Sequence, residues 1–136
     1  EHFKYIINND PLKTNQLSKG IKQLMDEGVA QLFTLKLNGR KIIGTVGMLQ
    51  FDVIKYRLEH EYGAKCSYEN VNIRKACWID DENSDKKQLD EFLIYKNKFI
   101  AFDKEDKMVF LADSDFTLIN TKQKFDNILF YEKSEF

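Results

Sequence analysis

Four kinds of residue in this chain have types and spacings that could do chemistry. Ser84-Asp85-Lys86-Lys87 sets a lysine three residues after a serine, the spacing of a serine nucleophile and its lysine in penicillin-recognising enzymes. No Ser-Asp-Asn or Lys-Thr-Gly triplet accompanies it, and helix capping explains the serine better. Gly44-Thr45-Val46-Gly47 is the candidate phosphate loop, but it lacks the GxxxxGK[ST] frame and no Lys-Ser/Thr pair follows. His60 stands between Glu59 and Glu61, with Asp52 two helical turns earlier. A metal needs ligands that converge, and an exposed helix surface accounts for these residues more simply. Cys66 and Cys77 form no CxxC pattern and have no neighbouring histidine to make a nucleophile pair, so two free, reduced thiols are expected. Contact residues remain. Asn38, Arg40 and Lys41 occupy a hairpin tip, and Asn70, Asn72, Arg74 and Lys75 form a polar, basic stretch. Loops of this composition can meet RNA phosphate or another domain.

The elements that must carry these residues can be read from periodicity. Residues 2–7 are aromatic and β-branched and predict a strand. Asp10 caps a helix with Pro11 at its first position, and Leu17, Ile21, Leu24 and Met25 mark its buried face. Gly20 inside that helix predicts close packing on the sheet. Two strands, 29–37 and 41–46, flank Asn38-Gly39, a strong hairpin signal. A two-residue turn would set Leu37 opposite Arg40, Leu35 opposite Ile42 and Phe33 opposite Gly44, so that Phe33, Leu35 and Ile42 share the buried face. Residues 49–62 hold no Gly or Pro, and Phe51, Ile54, Leu58 and Tyr62 line one helical face, widened by Leu49, Val53 and Tyr56. Gly63 stops this helix. A fourth strand spans 65–71. Strand, helix, strand, strand, helix, strand is the split βαβ order, so the predicted fold is α+β, a ferredoxin-like βαββαβ plait with an antiparallel sheet.

A C-terminal α/β elaboration follows. Residues 73–79 extend, and residues 80–85 form a polar loop. Ser84 caps a helix over 85–96 with Leu89, Phe92 and Leu93 or Ile94 inward. A hairpin joins 99–102 to 108–111. Asp113 or Ser114 caps a last helix with Phe116, Ile119 and Phe125 inward, and 128–131 closes as a strand. The predicted organisation is a plait with its following strand over 1–79 and an extension over 80–136 packed on it as one compact domain.

At 136 residues with 43% hydrophobic content and 11 Phe, the chain can build a substantial core, and its formal net charge of −1 argues against a free-standing nucleic-acid binder held by a basic field. Its apolar runs fall short of the ~20 residues of a membrane span. It opens at Glu1 directly into a strand, which reads as a piece of a longer protein.

Two long segments resemble one family. VGMLQFDVIKYRLEHEYG, residues 46–63, is similar to the C-terminal domain of bacterial peptide chain release factor 3, a translational GTPase, and DPLKTNQLSKGIKQLMDEGVAQLF, residues 10–33, resembles the same domain upstream. Gly47-Met48-Leu49-Gln50-Phe51 and Arg57-Leu58 are more distantly similar to the third domain of elongation factor G. The close resemblance covers residues 10–79. It implies the same plait, a cytoplasmic location, and a fragment without chemistry or cofactor of its own. GTP or GDP with Mg would sit in a GTPase domain outside this sequence. The implied partners are the ribosome, both RNA and protein, and the GTPase and β-barrel domains of the full factor. The implied task is to promote dissociation of class I release factors from the ribosome. Two alternatives stand beside it: the equivalent domain of an elongation factor G-like protein, and a stand-alone small-molecule-binding plait.

Overall fold

The computed structural model describes residues 1–134 of the chain. The fold is α+β with antiparallel strand pairing, and the chain divides into two compact units. One comprises Glu1–Phe33 and Lys41–Val71, the other Thr34–Arg40 and everything from Asn72 onward.

The first unit is the plait. Strand β1 (His2–Asn8) runs into a 3-10 turn at Pro11–Lys13, and helix α1 (Thr14–Asp26) follows. Asp10 caps the short turn rather than the long helix, its carboxylate accepting from Leu12 N–H at 3.0 Å. Strand β2 (Gln31–Leu35) starts in this unit. Strand β3 (Lys41–Thr45), helix α2 (Leu49–Tyr62) and strand β4 (Cys66–Asn70) complete it. The strand order β4-β1-β3-β2 is that of the split βαβ plait. Strand β1 pairs antiparallel with both neighbours, Phe3 opposite Gly44 and Ile6 opposite Tyr68.

One sheet face carries Ile6 and Ile43. They pack with Leu17, Ile21, Leu24 and Met25 of α1 and with Phe51, Ile54 and Leu58 of α2. Each of these apolar side chains adds roughly 1.5–3 kcal/mol when fully buried. Phe33 and Ile42 are fully buried but do not join this cluster, so the buried face predicted for them is not the one that meets the helices. Alternation decides it: Ile43 faces the helices, so Ile42 and Gly44 face away. On that far side a Cβ at Gly44 would lie 3.1 Å from the Phe3 ring and 3.2 Å from the Phe33 ring, so glycine makes room for both. Gly20 packs on helix α2 rather than on the sheet: a Cβ added there would lie 2.7 Å from Leu58 Cδ2.

The second unit holds strand β5 (Lys75–Asp80), helix α3 (Lys86–Tyr95), strand β6 (Ile100–Phe102), strand β7 (Met108–Ala112), helix α4 (Asp115–Lys124) and strand β8 (Leu129–Tyr131). The order is β6-β7-β5-β8, all antiparallel, and Thr34 and Leu35 pair with Phe102 and Ala101 on β6. Its core stacks Phe92 edge to face on Phe110, Phe125 and Phe130, and Ile79, Ile100 and Leu118 pack in the same cluster.

Three local features depart from the sequence pattern. Leu35 donates to Arg40 O and accepts from Gly39 N–H, both at 2.9 Å. Leu35 therefore lies opposite Gly39 and Arg40, a bulge with Gly39 at φ +73°, and not opposite Ile42. Asp85, not Ser84, caps α3 by accepting from Gln88 N–H. Ser84 instead donates to Asp80 O at 2.6 Å and accepts from Leu129 N–H, which ties the polar loop to β8. On α4, Leu118, Thr121 and Phe125 turn inward; Phe125 is buried as predicted, but Phe116 and Ile119 are exposed. The Ser114 cap fixes that phase by accepting from Thr117 N–H at 3.0 Å.

Candidate functional site

The β3–α2 junction is a tightly specified piece of the first unit. Thr45, buried at the end of β3, donates its hydroxyl to Gly47 O at 3.0 Å. The Gln50 side-chain oxygen accepts from both Val46 and Gly47 N–H at 3.0 Å, and its amide donates to Val29 O at 3.2 Å. One glutamine thus satisfies amides just before the helix and ties it to the chain ahead of β2. Sequence reasoning missed Gln50, although a Gln three residues after a helix-starting Gly has the spacing of a capping box.

The same geometry tests the phosphate loop. A phosphate cradle needs free, converging backbone N–H groups. Those of Val46 and Gly47 are already used by Gln50, so this loop does not fit the GTP that the family resemblance implies elsewhere in the full factor.

Helix α2 buries Phe51, Ile54 and Leu58, and its other side is also apolar. Val46 is 83% exposed and Leu49 78%, with Met48, Val53 and Tyr56 half-exposed or nearly so. Leu49, Val53 and Tyr56 follow one another at i, i+4 and i+7, so they line one stripe. The spacing alone predicts that they widen the buried face; instead they stay in water. The helix is apolar on two sides, and only one meets the sheet. Tyr56 is braced by His60, whose ring stacks at 3.9 Å between centroids and whose Nδ1 lies 2.9 Å from Tyr56 O. His60 is therefore a packing partner, and no group of three or more metal-ligating side chains occurs among the described residues.

Arg57 fixes how α2 lies along α1. Its guanidinium reaches both carboxylate oxygens of Glu27 at 2.9 and 3.1 Å, and also bonds Glu61 one turn on. Hydrogen bonds donated to Glu61 and Glu27 raise the Arg57 pKa, and Arg57 in turn holds the Glu61 carboxyl below its ordinary range.

The predicted contact residues fall in both units. Asn38 accepts from Arg40 N–H at 3.0 Å and shapes the turn, while Lys41 begins β3 in the other unit. Asn70 ends β4, whereas Asn72 and Arg74 precede β5 in the second unit, both exposed. Within that unit β6 and β7 separate the Arg40 turn from β5. Arg74 faces Asp115 at 3.7 Å, and Lys75 bonds Glu132. The Lys75 pKa rises and the Glu132 pKa falls, chiefly through that hydrogen bond.

Both cysteines are free and buried, Cys66 in the first core and Cys77 in the second. Burial pushes the Cys66 thiol up to about 11 and raises that of Cys77 as well, so neither is a ready nucleophile. No helix among the described residues is long and apolar enough to cross a membrane.

The plait order, the β3–α2 junction and the exposed α2 stripe all lie in the stretch that carries the family resemblance. Residues 1–122 of the 136 match the family model of the class II release factor RF3 C-terminal domain, and the chain belongs to that family.

Proposed function

We propose that the chain serves translation termination as the non-catalytic C-terminal domain of a peptide chain release factor 3, a GTPase that promotes dissociation of class I release factors from the ribosome. In this reading GTP is bound and hydrolysed by an N-terminal domain, in the cytoplasm. This domain couples that nucleotide state to contacts with the ribosome and with the GTPase and β-barrel domains. Its mechanism is a shift between packed arrangements, which demands surfaces that dock and release.

The carrying observation is the exposed apolar stripe Leu49, Val53 and Tyr56 on α2, with Val46 and Met48 also exposed just ahead of the helix. A contiguous apolar patch on a folded domain marks a surface made for a partner. Gln50 caps the junction that leads into the stripe, and Arg57 bonds α2 to Glu27 at the end of α1. The test is Leu49→Lys with Val53→Lys in the full-length factor. Release of class I factors from ribosomes should slow severalfold, while the melting temperature of the 136-residue chain carrying both changes stays near its parent value. Normal release with both lysines in place would reject the stripe as a working surface.

A further inference from the structure

The second unit carries a groove that neither its core nor the family assignment explains. Tyr95 ends α3, and Thr117, Asn120, Thr121 and Lys124 lie along one side of α4. With Lys96 they line a cavity of about 120 Å³. That is room for a few waters or one phosphate group, not for a nucleotide. The aromatic core fixes its walls. The Phe92 and Phe125 rings meet edge to face at 5.4 Å, and Tyr95 packs on Phe125 at 6.2 Å while remaining 59% exposed.

Two ammonium groups converge on that tyrosine. Lys124 Nζ lies 3.8 Å from the Tyr95 ring centroid and Lys96 Nζ 4.9 Å. Both also approach a second ring, Lys124 that of Phe125 at 5.6 Å and Lys96 that of Phe99 at 5.7 Å. Arg57 and Lys75 are hydrogen-bonded to carboxylates; these two lysines lie over rings instead. A lysine parked over a ring keeps its charge unneutralised and available to an anion. Exposed Phe116 stands one turn before Asn120 on α4, which adds a second aromatic surface beside the groove.

We propose that this groove binds single-stranded or loop RNA: Lys96 and Lys124 leave the Tyr95 ring to hold one phosphate, and a base takes their place on the ring. Paired cations and exposed aromatic rings are the two components of sequence-tolerant single-strand binding. An acidic peptide would use the lysines but has no need of the rings. The choice of RNA rests on the translational reading above.

The 136-residue chain is titrated with labelled oligouridylate across a salt series. Weak binding that falls with salt is expected. Lys96→Ala and Lys124→Ala should each make the log–log salt slope shallower by about 0.7. Tyr95→Ala should weaken binding by about 5- to 150-fold with the slope unchanged. Lys86→Ala, at the opposite end of α3, should leave affinity within experimental error, and far-UV circular dichroism checks that each variant is folded. Binding unaltered by all three groove substitutions overturns the proposal. So does oligoglutamate binding that matches oligouridylate and ignores Tyr95→Ala, which would assign the groove to an acidic protein. The assay uses the chain alone, so its failure leaves the α2 stripe test untouched, and failure of the stripe test leaves this one standing.

Discussion

Gly20→Ala reads the packing between α1 and α2 with one methyl group. Helix propensity alone makes this change stabilising by about 1 kcal/mol, because glycine in a helix interior is conformationally costly. The packing predicts the opposite sign. The new Cβ would sit 2.7 Å from Leu58 Cδ2 and 2.9 Å from two atoms of the Tyr62 ring. Leu58 is fully buried, and Tyr62 is held by a hydrogen bond from its hydroxyl to the Gln23 side chain, so neither moves aside freely. Overpacking of this kind costs about 1–3 kcal/mol, which leaves a net destabilisation on the order of 1 kcal/mol. Urea unfolding measures it as a lower midpoint at constant slope. A second variant separates crowding from any general helix effect. Leu58→Ala alone should cost about 2–5 kcal/mol. In that background the added methyl fills part of the cavity, so Gly20→Ala should become neutral or stabilising, with a coupling on the order of 2 kcal/mol. Gly20→Ala that stabilises the parent by its full propensity gain, with no coupling to Leu58, would refute the close approach.

Three further outcomes follow from particular contacts. Gln50→Ala removes the acceptor for Val46 and Gly47 N–H and should cost about 0.5–2 kcal/mol in chemical denaturation, whereas Gln50→Glu keeps that acceptor and should cost less. Asp103 accepts from Glu105 and Lys107 N–H and from the Trp78 indole N–H, each at 2.9 Å, so Asp103→Ala should cost about 1–3 kcal/mol and shift the emission of the sole tryptophan. The thiols should react slowly with a disulfide reagent at neutral pH in the folded chain and count two on unfolding without reductant; a count of zero contradicts this. Because burial lifts Cys66 to about 11 while an unfolded thiol ionises near ~8.5, the unfolded chain binds fewer protons above that lower value, and stability should fall as pH rises from there through about 11.

Helix α2 is legible in the sequence to its ends, because glycines bracket it and its buried residues keep helical spacing. The plait order follows from the succession strand, helix, strand, strand, helix, strand. What the sequence hides has physical causes. A left-handed Gly39 inserts a bulge, and one extra residue changes what faces Leu35. Helix α4 has apolar residues at several phases, so only the Ser114 cap and the aromatic core decide that Leu118 is inside while Phe116 and Ile119 are not. Helix α2 is apolar on two sides, and counting apolar residues does not say that Leu49 and Val53 stay in water. The carboxylates that Arg74 and Lys75 face, Asp115 and Glu132, are remote in sequence, so these pairs do not show in it. The Tyr95 groove draws on two helices, and neither alone shows a pattern of charge and ring.

That this domain couples without catalysing is tested most directly by truncating the full-length factor before this chain. The rate at which class I release factors leave ribosomes is measured, with GTP binding by the remainder checked on the same preparation. The account predicts that GTP binding persists and that factor release falls to near the rate without any added factor. Release at the intact factor's rate by the truncated protein would contradict it.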